Sequence, residues 1–188
     1  ADYSFSEVRI SHEQNFVLPH VPKQHLFELW QKAQAQNLAT ANARLITDMI
    51  CCPGGDYCSL ANAKSIPVAE ALQERFDDYD FQYDLGELNL NISGCMNACG
   101  HHHIAHIGIL GVEKKGQPWY QITLGGRDQQ GAALGKRLGP AVPHDDVLPL
   151  IKRLVDTYLE ERQPGEYFVG FVDRLGVDYL KEISYATH

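Results

Sequence analysis

The chain has 188 residues, 44% of them hydrophobic, with 16 Lys and Arg against 24 Asp and Glu for a formal charge of -8. That length and apolar content suit one compact domain, or a domain with an appendage, and exclude disordered and collagen-like classes. The acidic balance argues against nucleic acid as a partner. No apolar run reaches the roughly 20 residues of a membrane span, and the start Ala1-Asp-Tyr-Ser-Phe-Ser lacks the basic and apolar regions of a signal peptide, so a cytoplasmic protein with no membrane partner is expected.

In chain order, Val8 to Ile10 and Asn15 to Leu18 read as two short β pieces around a polar turn, closed by Pro19 and Pro22. Leu26, Leu29, Trp30 and Ala33 then recur at helical spacing between Pro22 and Gln36, an amphipathic helix expected to pack on a core. Leu45 to Cys52 reads as a buried strand entering a tight turn at Pro53-Gly54-Gly55. A helix is expected from near Cys58 through Ala69, Leu72 and Arg75, with Pro67 kinking or breaking it. The acidic stretch Asp77 to Glu87 reads as a solvated loop, with a docking patch for a basic partner as the alternative. Leu88 to Ile92 alternates as a half-buried strand does. Ile104 to Val112 and Trp119 to Leu124 read as strands joined by the hairpin Glu113-Lys114-Lys115-Gly116. Asp145 to Glu161 reads as a helix with Val147, Leu148, Ile151, Leu154, Val155 and Tyr158 on one face, and Gly165 to Leu175 and Asp178 to Ile183 as two short closing helices. The sum is α/β (α+β), a mixed sheet flanked by helices.

Five cysteines, an odd number in a chain able to bury a core, point to cysteine chemistry in a reducing compartment rather than a disulfide framework. Cys52-Pro-Gly-Gly-Asp-Tyr-Cys58 and Cys95-Met-Asn-Ala-Cys99 place four of them in two pairs, a metal-site pattern. Structural zinc usually takes ligands two to four residues apart, whereas four-cysteine iron–sulfur clusters accept more varied loops. Spacing therefore favours an iron–sulfur site and leaves zinc and unligated core thiols as alternatives. Gly54, Gly55, Gly94 and Gly100 would let backbone N–H groups approach cluster sulfides, and a helix starting near Cys58 would turn its positive end toward them. Cys51 and Cys52 would point to opposite faces of an extended segment, so one is spare, and spacing alone does not say which.

Cys-Pro-Gly-x3-Cys followed by Ser-Gly-Cys-x-Asn-x-Cys-Gly resembles the signature of siroheme-containing sulfite and nitrite reductases. The resemblance runs from about Val8 to the C-terminus. Arg9-Ile10-Ser11-His12-Glu13-Gln14-Asn15 is similar to the strand and turn preceding the second cofactor-binding half, and His101 to Gly111, Leu124-Gly125-Gly126 and Gly165 to Phe168 follow in the expected order. It implies that Cys52, Cys58, Cys95 and Cys99 hold a [4Fe-4S] cluster, that Cys51 is the spare, and that the Cys99 sulfur also ligates siroheme iron, with Asn97 as a polar contact to a siroheme substituent. The fold implied is the second half only of a nitrite/sulfite reductase hemoprotein, with 1–46 a remnant of a ferredoxin-like half-domain and 47–188 the cluster domain.

The activity implied is six-electron reduction of sulfite to sulfide or of nitrite to ammonia, fed by a ferredoxin or flavoprotein. The N-terminal half of the same enzyme would be the partner that brings the basic residues gripping the anion. The 188 residues are thus expected to carry cluster ligands but not a finished active site, and no catalytic residue is assigned among them. A non-catalytic zinc-stabilised binding domain and a stand-alone iron–sulfur electron-transfer domain are the rival readings. His101, His102, His103 and His106 are expected in ordinary polar packing, in an extended segment, with a cofactor-edge role as the alternative. Gly125 to Arg137 fails as a phosphate loop, because three residues separate Gly131 from Gly135 and Arg137 stands where Ser or Thr would hold magnesium. Arg127, Lys136 and Arg137 read as surface charge, or as counter-charges to tetrapyrrole carboxylates.

Overall fold

The computed structural model describes residues 2–129 and 131–186; Ala1, Gln130, Thr187 and His188 lie outside that range. The chain divides into two units, Ala1–Ala43 and Arg44–His188, slightly before the boundary expected after residue 46. In the first unit, β1 (Arg9–Ile10) pairs antiparallel with β2 (Phe16–Val17), Arg9 opposite Val17. A single 3-10 turn, Lys23–His25, then leads into α1 (Leu26–Gln34). Core packing was expected of this helix, yet none of its residues is buried. Helical spacing fixes which side chains share a face and says nothing of what covers them.

The second unit holds β3 (Ile50–Cys51), α2 (Ile66–Phe76), α3 (Tyr79–Leu85), β4 (Leu90–Ser93), β5 (Ile107–Lys114), β6 (Gln117–Leu124), β7 (Lys136–Arg137), α4 (His144–Glu161), α5 (Phe168–Leu175) and α6 (Val177–Ser184). Its sheet runs β3-β4-β5-β6-β7, parallel from β3 to β5 and antiparallel from β5 to β7. This is the mixed sheet with helices that the sequence pattern implied. The β5–β6 hairpin closes on Lys115 and Gly116, both at positive φ (54° and 75°), the backbone that a two-residue hairpin turn needs to match strand twist. The buried face of α4 carries Val147, Ile151, Leu154, Val155 and Tyr158, while Leu148 is only partly buried. Tyr158 meets Phe168 and Phe171 edge-on, at centroid distances of 5.4 and 5.3 Å.

Several elements depart from the sequence pattern for physical reasons. Only Ile50–Cys51 is strand in the Leu45–Cys52 run; Leu45, Ile46 and Met49 are buried before it, so apolarity there signalled burial rather than extension. Helix α2 begins at Ile66, not near Cys58, and Pro67 sits in its first turn, where a missing N–H costs no intrahelical bond. The expected acidic loop is α3: the Asp78 carboxylate accepts from the Phe81 N–H at 2.7 Å, and Gln82 and Leu85 turn inward. Strand β4 is buried along its whole length, not on one face. Its polar residues are satisfied by the chain that follows, since Asn91 Nδ2 donates to the His101 carbonyl (3.3 Å) and Ser93 Oγ accepts from Gly100 N–H (3.1 Å). No helix among the described residues is long and apolar enough to cross a membrane.

Candidate metal centre

Because β3 and β4 are parallel, with Cys51 opposite Ile92, their C-terminal ends lie at one edge of the sheet, where open α/β sheets place ligands. Cys52 follows β3 directly, and its N–H donates to the Ile92 carbonyl at 3.0 Å, extending the pairing by one residue. Cys95 follows β4 after Gly94 alone. From Cys52 the chain enters a 3-10 turn, Gly54–Asp56, and Cys58 N–H donates to the Gly54 carbonyl at 2.9 Å. It then returns to β4, with Asn62 and Ala63 N–H groups both donating to the Gly94 carbonyl, at 2.8 and 3.1 Å. The loop between the first cysteine pair and α2 is thereby laced to the residue beside Cys95.

That lacing needs bare backbone at two points. A Cβ on Gly94 would lie 2.7 Å from the Ala63 carbonyl oxygen, and one on Gly100 would lie 2.0 Å from that of Ile92. Beyond Gly94 the second loop folds on itself through Ala98 N–H to the Cys95 carbonyl (3.2 Å) and His101 N–H to the Ala98 carbonyl (2.8 Å). Cys52 and Cys95 are buried, Cys58 is half-buried, and Cys99 is exposed, as is Asn97 near the loop tip. All five cysteines are free of disulfides.

The Gly94 N–H points at Cys52 Sγ, 3.0 Å away. A thiol is a weak acceptor and a thiolate a strong one, so this donor suits a sulfur that carries charge. Among the described residues no three His, Cys, Asp or Glu side chains are gathered to hold a single metal ion. A cube offers its thiolates attachment points over a larger body than one ion does. Four soft thiols on two loops, with a backbone donor already aimed at one of them, fit an iron–sulfur cluster. Cys51 has other surroundings: it packs against the hydrophobic core, its Sγ donates to the Cys52 carbonyl at 3.3 Å, and burial, aided by nearby Cys52 and Glu70, pushes its thiol pKa up to about 12.

The helix start expected near Cys58 falls later in the chain, at Ile66. His102 and His103 lie in a 3-10 turn, His102–Ile104, rather than an extended segment, with His101 just before it at φ 54° and His106 beyond it. His106 Nδ1 accepts from Asn89 N–H at 3.2 Å, and burial lowers its pKa. His102 is 7% exposed with no hydrogen-bond partner at Nδ1, and burial, then the neighbouring His103, pushes it down to about 4. Arg127 pairs with Asp173 at 2.8 Å, while Lys136 and Arg137 are exposed on β7. The sequence pattern missed Ser65, which is fully buried with Oγ 3.5 Å from Cys52 Sγ. No local signal marks it, since the contact spans thirteen positions of irregular chain.

The family model of the nitrite and sulphite reductase 4Fe-4S domain matches residues 42–185. The chain is 29% identical over 162 residues to a ferredoxin–nitrite reductase of Synechococcus elongatus, covering 81% of this chain and 30% of that protein. It is 26% identical over 173 residues to the NADPH sulfite reductase hemoprotein beta-component of Cronobacter sakazakii, covering 91% and 30%. Among solved structures, the NirA protein of Mycobacterium tuberculosis superposes with a TM-score of 0.77 at 26% identity, over 92% of this chain and 33% of that one. Dissimilatory sulfite reductase I shares the fold, with a TM-score of 0.79 at 13% identity over 97% and 62%. The chain spans about 30% of the length of these two curated relatives.

Proposed function

We propose a function from one premise: the chain belongs to the nitrite and sulphite reductase 4Fe-4S domain family. Membership implies a [4Fe-4S] cluster and siroheme as cofactors. On our reading Cys52, Cys58, Cys95 and Cys99 hold the cluster, Cys99 also ligates the siroheme iron, and Asn97 meets a siroheme substituent. The observation that carries this reading is the Gly94 N–H aimed at Cys52 Sγ within a loop laced to the residue before Cys95. When bound, the two groups would supply single-electron reduction of a sulfite or nitrite anion.

The chain's own residues then divide the work. Burial of Cys52 and Cys95 keeps water from two of the sulfurs, and exposure of Cys99 leaves one where a second body can meet it. On the same reading Cys51, packed on the core, stays out of the ligand set. The reading makes this chain the cluster-binding C-terminal part of a cytoplasmic reductase that takes sulfite to sulfide or nitrite to ammonia with six electrons from a ferredoxin or flavoprotein. The first unit belongs to a preceding half-domain, and the cations that grip the substrate come from the N-terminal half.

Anaerobic reconstitution with iron and sulfide tests the assignment. About four irons per chain and a broad absorption near ~400 nm are expected. Serine in place of Cys52, Cys58, Cys95 or Cys99 should lower the iron content, and Cys51→Ser should leave it unchanged. Colourless protein that takes one zinc overturns the reading. The reconstituted chain alone should show little sulfite or nitrite turnover with reduced methyl viologen; substantial turnover overturns the need for an N-terminal half.

A further inference from the structure

Ser65 immediately precedes α2, the position at which a serine hydroxyl ordinarily accepts from a first-turn N–H and caps the helix. It does not do so here: its backbone is already helical (φ -104°, ψ -41°) and its side chain makes no cap. The residue is fully buried, and its Oγ lies 3.5 Å from Cys52 Sγ. In the free thiol either atom can be the donor. Once Cys52 is a metal ligand its sulfur has no proton, and the hydroxyl alone can donate.

Two glycines keep the hydroxyl against the sulfur. Gly54, at φ +59°, would place a Cβ 2.6 Å from Ser65 Oγ, and Gly94 would place one 3.1 Å from it. Cys52 Sγ thus has two donors, the Gly94 N–H at 3.0 Å and the Ser65 O–H. A reduced cluster carries one more negative charge, shared with its thiolates, so donors to sulfur favour the reduced state, and more strongly in a dry environment.

We propose that Ser65 is a positioning residue that raises the cluster's reduction potential by donating a hydrogen bond to the Cys52 thiolate. This rests on Cys52 being a cluster ligand. The test is a one-electron potentiometric titration, followed by electron paramagnetic resonance, of the reconstituted 188-residue chain and its Ser65→Ala and Ser65→Thr variants at matched iron content. Ser65→Ala should shift the reduction equilibrium threefold to tenfold against the reduced state, ~28–59 mV lower for a one-electron couple, while Ser65→Thr, which keeps the hydroxyl, should restore most of it. Proton and deuteron hyperfine spectra of the reduced wild type provide a second measurement independent of any variant, and should show an exchangeable hydroxyl proton beside a cluster sulfur in addition to the amide. An unchanged potential in a fully loaded Ser65→Ala chain, or no such proton in the loaded wild type, overturns this inference alone. A wild-type chain that takes up no iron overturns the cluster assignment and the inference with it.

Discussion

The cysteine-bearing edge of the sheet and the helical layer of α4, α5 and α6 are built on different contacts. In the layer, Tyr158, Phe168, Phe171 and Leu180 are at most 1% exposed, and each such side chain contributes about 1.5–3 kcal/mol by leaving water. At the edge, backbone meets backbone: Gly94 against Ala63, Gly100 against Ile92, with hydrogen bonds in place of apolar area. The layer answers to volume and hydrophobicity, while the edge answers to the presence of a single carbon atom. A protein organised this way can lose much stability without losing its site, or its site without losing much stability.

The largest expected effect sharpens that contrast. Phe168→Ala should cost about 3–5 kcal/mol in urea denaturation while iron uptake per folded molecule stays at the wild-type level. Iron loss in proportion to the destabilisation would show that layer and edge are one cooperative unit. Gly100→Ala should cost about 1–3 kcal/mol, because its new Cβ has a carbonyl oxygen 2.0 Å away, and should also abolish iron uptake. Full iron uptake by that variant would break the comparison.

The last effect concerns His102, whose carbonyl oxygen would stand 2.0 Å from a Cβ on Gly108 in β5. Its folded pKa is depressed to about 4, whereas an unfolded imidazole keeps the ordinary 6.5, so between these values the unfolded chain binds the proton and the folded chain does not. Stability is therefore full above the unfolded value and is lost as pH falls through 6.5 toward 4, by about 1–3 kcal/mol. Urea midpoints at both ends of that window should show a smaller pH dependence in His102→Gln than in the wild type; equal dependence would remove His102 from the account.

Much of the fold is legible where one local pattern decides it. The β5–β6 hairpin and α4 follow from alternation and helical spacing, because their partners lie nearby or along a single face. The cysteine pairs were legible through spacing and flanking glycines. What escaped were features set by distant chain. The inner polar residues of β4 look like a wet face until His101 and Gly100 return to satisfy them. The Asp78 cap was hidden among carboxylates that read as solvated charge. Ser65 and His102 owe their properties to packing that no window of sequence contains.

The parallel pairing of β3 with β4 has a consequence for the order of assembly. Between the two strands the polypeptide must travel through α2 and α3, so the sulfur-bearing loops meet only after that crossover has closed. Small zinc knuckles run the other way, with the ion nucleating the structure around itself. Here the pairing of strands distant in the chain, rather than a short loop wrapped on an ion, sets where the two cysteine loops lie.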